Sequence, residues 1–404
     1  MIDIFLVFVR YVLTKLNITD GLFRESIIFS VSCIPFIYFL LNLSKFKVKQ
    51  WLPFIYVYIL VISSILLSII VNPDLYHFFT RPYYGLSRVI RPDCAIFAFL
   101  FFYIADNPGD TLKVVIKYAY IYFLVKIIVN LIPALIRGYW IDIGPNGEEL
   151  AFRYNLSFGY SIAFPTMVFL YHFTKDRKLY SLLFFCFGML CVFTQGNRGS
   201  LLIIIIYIFL LYIRKLQNSK YSLIKFFFLI IFLFLIYIRL DVIMGMALDM
   251  LHKHGFQSRN IEKLINGSFT TLNGRDFIWS EVIMKIEKIR PLGLGTFGDR
   301  PIVAPMHTAG YSHNIFLELI VSYGLIGLLF SIVMIIKALY MIIYCRDDQW
   351  YNLYIIMLSC SAQLLLSMSL WYVWQFWAAI SISYKYIKSK KEMKYSINNR
   401  LKKD

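Results

Sequence analysis

Residues 51–71 read Trp51-Leu-Pro-Phe-Ile-Tyr-Val-Tyr-Ile-Leu-Val-Ile-Ser-Ser-Ile-Leu-Leu-Ser-Ile-Ile-Val71, an apolar run without one charged side chain. At about 1.5 Å of rise per helical residue, such a run reaches about 30 Å, the thickness of a bilayer's hydrocarbon core. Water is absent there, so each backbone N–H and C=O needs a partner within the segment, and a helix supplies it. Further apolar segments fall near 2–16, 26–43, 88–105, 113–136, 154–173, 179–194, 200–213, 221–239, 314–343, 351–369 and 371–387. The expected fold is an all-α polytopic membrane protein of about twelve transmembrane helices, a single membrane domain over residues 1–404.

Composition agrees. The 404 residues are 59% hydrophobic and 16% charged, against roughly 45–50% and about 25% in soluble domains. So little charge cannot cover a globular surface. The same figures exclude a disordered chain, a coiled coil, collagen and a disulfide-stapled secreted domain. A net charge of +18 in a soluble protein would suggest nucleic acid. Here it reads first as cytoplasmic loops obeying the positive-inside rule, and no nucleic-acid partner is expected.

Lysine clusters orient the chain. Lys45, Lys47 and Lys49, then Lys175, Arg177 and Lys178, then Arg214, Lys215 and Lys220, and finally the basic tail from Lys388, fall on one side of a twelve-span arrangement. Both termini are therefore expected in the cytoplasm, with no cleaved signal peptide, because Asp3 stands where a basic region would precede the apolar run. The short connections on the other side carry Arg24, Arg81, Arg88, Arg91, Arg137, Arg153 and Arg198, and no lysine. Topology has no use for arginine over lysine. The planar guanidinium fork does, since it grips phosphate or carboxylate with two bonds, so the bias predicts an outward-facing anion site. The competing reading is pairing with the outward acids Asp74, Asp93, Asp142, Glu148 and Glu149.

Residues 240–313 hold no convincing span and form one long outer loop, the kind of loop that is usually functional. His252, His254, His307 and His313 lie in it. His252-Lys-His254 is half a metal site at most, and no metal is expected. Gly293-Leu-Gly295-Thr-Phe-Gly298 matches a dinucleotide fingerprint by letter only. Pro291 and Pro301 deny it the strand and helix that the fingerprint needs, so it reads as a flexible turn. The six cysteines read as small core residues.

Three stretches carry chemistry. In Thr194-Gln-Gly-Asn197-Arg198-Gly-Ser200, Arg198 stands at the amino end of the next helix, where free N–H groups and the positive end of the dipole favour a bound phosphate. Asn273-Gly-Arg275-Asp opens a second helix. Its apolar stripe Ile278, Val282, Ile286 and Ile289 predicts an amphipathic helix over 276–289, lying on the outer membrane surface and stopped by Pro291. The third is Ser312-His313-Asn314-Ile-Phe-Leu-Glu318-Leu-Ile-Val-Ser322-Tyr-Gly324-Leu-Ile-Gly327. Ser312 reads as the N-cap of a span, with His313 in its first turn, kept neutral by the dipole and fit to act as a base. Glu318 lies one turn below Asn314, and Gly324 and Gly327 permit close helix packing.

Taken together, these three motifs resemble the O-antigen polymerase and ligase superfamily, of Wzy/WaaL type. The family often has an acid two positions before the first glycine of the last motif; Ser322 stands there, and that role is not assigned to Glu318. The resemblance implies a GT-C-like membrane fold in a bacterial inner membrane, with the site facing the periplasm. It implies a metal-independent glycosyltransferase that needs no cofactor and takes its glycan from undecaprenyl pyrophosphate. Arg198 and Arg275 would hold the pyrophosphate and His313 would accept the acceptor's proton. Asn197, Asn314, Arg88, Arg91, Arg290 and Arg300 are weaker candidates for pyrophosphate or glycan contacts. Besides membrane lipids and the lipid-linked oligosaccharide, a chain-length regulator is a further expected partner. A polymerase of repeat units is preferred over a ligase acting on lipid A–core. From another class, a flippase for the same lipid-linked sugar predicts internal repeats and broken helices, and no repeat is visible.

Overall fold

The computed structural model describes residues 2–16, 21–80, 86–91, 93–143, 149–152, 155–195, 198–217, 275–286, 291–306 and 310–400, with 246, 249 and 253 as isolated positions. It is mostly helical and divides into two compact units, one of residues 1–31 and 113–271, the other of 32–112 and 272–404.

The first unit contains α1 (Ile2–Lys15), and the start of α2 (Gly21–Leu41) belongs to it. Most of α7 (Pro108–Lys126) follows, continued by a π-helical turn (Ile127–Leu131) and α8 (Ile132–Arg137). Next come α9 (Leu156–Asp176), α10 (Leu179–Thr194) and α11 (Arg198–Gln217). The span expected at 221–239 lies outside the described residues. One feature departs from an all-α fold. Trp140–Ile143 and Glu149–Phe152 form β1 and β2, an antiparallel hairpin with Trp140 opposite Phe152 and Ile143 opposite Glu149. In the sequence, Pro145, Asn146 and Gly147, residue types that favour turns, separate the two stretches and are the signal for it.

The α9–α10 pair forms the unit's core. Arg177 adopts a left-handed conformation (φ 55°) that ends α9, and two residues later α10 returns along it. Gly188 of α10 meets Thr166 of α9 so closely that a Cβ would overlap the Thr166 hydroxyl. Small residues let membrane helices approach in this way. Gly188→Ala should therefore destabilise the protein by about 1–3 kcal/mol through overpacking. Adding Thr166→Ala should recover most of the loss, read as thermal unfolding in detergent. Equal damage from the single and double variants would contradict the contact.

The second unit contains α3 (Val48–Val71), α4 (Tyr76–Thr80), α5 (Ser87–Ile90) and α6 (Phe97–Ile104). The later chain adds α12 (Arg275–Ile286), α13 (Arg300–Val303), α14 (Ile315–Tyr344), α15 (Asp348–Ser361) and α16 (Trp374–Arg400). Its core joins α3, α6 and α16 through Phe54, Phe97, Phe99, Leu100, Phe376 and Trp377.

Four stretches among the described residues are long and apolar enough to cross a membrane: Gln50–Val71, Pro108–Arg137, Gly199–Gln217 and Ile315–Tyr344. Ser26–Leu41 and Leu179–Thr194 are shorter apolar helices. The expected span at 88–105 is not continuous. It breaks into α5 and α6, because Arg91 precedes a proline and takes an extended conformation (ψ 140°) that a helix cannot continue. The run expected at 351–369 also ends early. After α15 the chain passes through a 3₁₀ turn (Ala362–Leu365) and stays irregular until Trp374.

The last motif departs from expectation in two ways. The cap of α14 is Asn314, whose Oδ1 accepts from the Phe316 and Leu317 N–H groups. Ser312 lies before the helix, so His313 precedes the cap and does not sit in the first turn. Gly324 serves a break in the helix, and Gly327 lets the two helical parts on either side of it approach closely, since a Cβ there would overlap Leu319 O. Gly324 adopts φ 56° and ψ −130°, about 14 Å along α14. This break frees backbone groups that the Pro291–Gly298 segment satisfies: Leu294 N–H donates to Val321 O at 2.9 Å, Gly295 N–H to Ser322 O at 2.8 Å, and Leu325 N–H to Pro291 O at 2.9 Å. The expected flexible turn is thus a packed brace. Thr296 fastens it to α3, its N–H donating to Ser68 Oγ at 2.7 Å.

Candidate functional site

In the second unit the site is built around the start of α14. Asp299 and Arg300 are adjacent in sequence and almost fully buried, at 0% and 1% exposure. Arg300 Nη1 donates to both Asp299 carboxylate oxygens at 3.0 Å. Arg300 Nη2 donates to Ser369 Oγ at 3.2 Å and reaches Glu318 Oε1 at 3.5 Å. Glu318, 2% exposed, accepts from Ser369 Oγ at 2.5 Å and from the Leu370 N–H at 3.3 Å. The guanidinium also lies 5.3 Å from the ring centroids of Phe297 and Tyr311. Burial opposes the charge on Arg300, but the carboxylates of Asp299 and Glu318 outweigh it and raise its pKa above the ordinary arginine value. A buried charge set of this kind persists only when each member is paired.

His313 sits beside this cluster. It adopts a left-handed backbone conformation, φ 53°, which histidine tolerates better than most residues. Its Nδ1 lies 2.7 Å from Ser367 O. A carbonyl only accepts, so Nδ1 carries the proton, and in the neutral ring Nε2 holds the lone pair. The Tyr311 ring lies against the imidazole, tilted by 43° with the centroids 4.4 Å apart. The residue before His313 is held at both ends of its peptide. Ser312 N–H donates to Asp299 Oδ2 at 2.8 Å, and Trp279 Nε1 donates to Ser312 O at 3.0 Å.

Trp279 belongs to α12, the helix that Arg275 opens, and it stands one turn after Arg275. Ile278 and Val282 are buried against Ile302, Val303 and Val321, so the expected apolar stripe packs on protein and not on the membrane surface. Helix packing and the Trp279 bond together fix α12 to the segment bearing His313. The described helix ends at Ile286, and Ile289 and Arg290 lie outside the described residues.

In the first unit Arg198 opens α11, as expected, though its side chain and all of Asn197 lie outside the described residues. Gly199 next to it is explained by a close approach, since a Cβ there would overlap the Tyr160 hydroxyl. Gln195 Oε1 accepts from Asn155 N–H at 2.8 Å, and Asn155 Oδ1 caps α9. This ties the end of α10 to the start of α9.

The remaining expected residues sort as follows. Arg91 pairs with Asp93 through two bonds of 3.0 Å, the carboxylate-pairing alternative named for the outward arginines. Arg88 lies in α5, with its side chain outside the described residues, as are His252, His254 and His307. Asn314 is occupied as the helix cap, with Nδ2 reaching Leu365 O at 3.4 Å. Sequence reasoning missed Asp299, Trp279, Ser367 and Ser369. Two serines two apart in a supposed span, and an Asp-Arg pair inside a glycine loop, were the available signals.

The architecture defines a helical membrane protein with an oriented histidine beside a buried ion cluster. Residues 181–332 match the family model described as O-antigen ligase, a match that supports the O-antigen polymerase and ligase superfamily. The match supports a glycosyl-transferring membrane enzyme in the broad sense. No curated protein and no solved structure matches the chain.

Proposed function

We propose that the protein is a polymerase of lipid-linked oligosaccharide repeat units, acting at the periplasmic face of a bacterial inner membrane with about twelve spans in a GT-C-like arrangement. The observation that carries this reading is the His313 Nδ1–H bond to Ser367 O, which leaves Nε2 as the basic nitrogen. In the proposed step Nε2 takes the proton of an acceptor sugar hydroxyl. The oxygen attacks the anomeric carbon of the donor glycan, and the bond to the pyrophosphate oxygen breaks, releasing undecaprenyl pyrophosphate. Arg198 and Arg275 remain in the proposal as the cations that stabilise this leaving group, on the strength of their motifs and helix-start positions. The chemistry needs no metal or cofactor.

The test uses purified protein in lipid vesicles with an undecaprenyl-pyrophosphate-linked repeat unit. Longer lipid-linked glycans formed from that substrate alone support the polymerase. A product that appears only when lipid A–core is added identifies a ligase. Movement of substrate across the bilayer with no new bond identifies a flippase. In the same assay Arg275→Ala and Arg198→Ala should each slow the reaction by about 10²–10³-fold, the usual effect of removing one charge-stabilising donor. Lysine should restore only part of the rate, because it lacks the two-pronged fork. Unchanged rates in the alanine variants would remove both arginines from the reaction.

A further inference from the structure

The buried ion cluster touches both sides of the base. Asp299 holds the Ser312 N–H, one residue before His313. Arg300 and Glu318 hold Ser369 and Leu370, two and three residues after the carbonyl that the imidazole donates to. The segment from Leu366 to Val373 belongs to no helix or strand, so no regular backbone ladder fixes the Ser367 carbonyl. Its supports include the N–H bonds of Leu366 and Ser367 to Gln363 O at 3.1 and 2.9 Å, the Glu318 and Arg300 bonds, the Tyr311 hydroxyl on Met368 Sδ at 3.9 Å, and Trp377 Nε1 donating to Leu370 O at 3.0 Å. In hydrolases with a serine, histidine and aspartate, an acid orients the imidazole. Here a main-chain carbonyl does so, and it is only as well placed as the segment that carries it.

We infer that Glu318, Arg300 and Ser369 are positioning residues: their buried ion cluster fixes the Ser367 carbonyl, which holds His313 with its proton on Nδ1. This rests on His313 being the base of the proposed reaction. Three physical consequences follow. The bond selects the tautomer with the lone pair on Nε2. It restricts rotation of the ring. When Nε2 takes a proton, the Nδ1–H bond becomes charge-assisted and strengthens, so the carbonyl stabilises the protonated state through which the reaction passes. Because the same cluster holds Ser312, the base and its orienting carbonyl shift together or not at all.

Glu318→Gln keeps the shape but offers an amide where Ser369 Oγ, Leu370 N–H and Arg300 all donate. The expected result is a fall in kcat of about 10–100-fold, the usual effect of small misplacement at a reacting group. KM for the lipid-linked donor should stay within about twofold. Glu318→Asp should recover part of the rate. The decisive arm places Glu318→Gln in a His313→Ala background, where the small residual rate should fall no further, since the two residues act as one unit. Ser369→Ala, a smaller change at the same point, repeats the test should Glu318→Gln fail to accumulate in the membrane. Loss of rate in both backgrounds would overturn the inference while leaving His313 as the base, and so would an unchanged kcat in Glu318→Gln. A full rate in His313→Ala alone would instead overturn the base assignment itself.

Discussion

A strain whose own copy is deleted, complemented with His313→Ala, should accumulate the protein in its membranes and show no ladder of surface glycan. Removing a positioned general base typically slows a reaction by about 10²–10⁴-fold, enough to erase polymer from a gel. The residue precedes the α14 cap and is almost buried, with Nδ1 committed to Ser367 O. Its loss therefore removes the lone pair on Nε2 and also the hydrogen bond to the half-buried Ser367 carbonyl, which costs about 0.5–1.5 kcal/mol. The φ of 53° adds a control. Asparagine accepts that conformation as readily as histidine and keeps a polar group, but it has no basic nitrogen. His313→Asn should thus accumulate as well as wild type and still give no ladder. A full ladder from either variant would sink the base assignment and return weight to the flippase.

Gly324→Ala should cost about 4 kcal/mol or more, which places it among the rare severe substitutions. The residue's φ of 56° with ψ of −130° lies where only glycine is comfortable. A Cβ there would overlap the Pro291 carbonyl oxygen, and the amide nitrogen of Gly293 would be 2.7 Å away. Both neighbours are backbone and cannot rotate aside. Relief would require separating Pro291–Gly295 from the break in α14, which strands the Val321 and Ser322 carbonyls and the Leu325 N–H at membrane depth. Gly310→Ala is the contrast. Its φ is 67°, but among the described residues a Cβ would meet only Ala304 Cβ at 4.0 Å, so backbone strain of about 1–2 kcal/mol is the expected effect. Membrane abundance and unfolding temperature in detergent read both. Equal stability of the two variants would mean that the break and its brace are not as described.

The break also shows why part of the site escaped sequence reading. Gly324 and Gly327 in an apolar run are compatible with tight helix packing or with a kink, and local spacing does not separate the two. Pro291–Gly295 resolves the matter by lying against the break, and its residues are some thirty positions earlier in the chain. The helix cap slipped for a related reason. Ser312 and Asn314 are both good caps by type, and the bond from Ser312 N–H to Asp299 shows that Ser312 belongs to the ion cluster instead. The break at Arg91 was missed too, although its signal is local, because a following proline acts on its immediate neighbour.

Sequence alone determined that this protein is a helical membrane protein, where most of its apolar runs begin and end, and that Arg198 and Arg275 open helices; it also singled out His313 as the proposed base. Those conclusions rest on properties carried within single segments: hydrocarbon thickness, helical period, and the preferences of Asn, Gly and Pro at chain reversals. Tertiary structure decided what surrounds the histidine. Asp299, Arg300, Glu318 and Ser369 come from three separated stretches, and each alone is an ordinary polar residue near an apolar run. Only burial makes them a unit, because a charge removed from water must find its partner wherever the fold brings one, however distant in the chain.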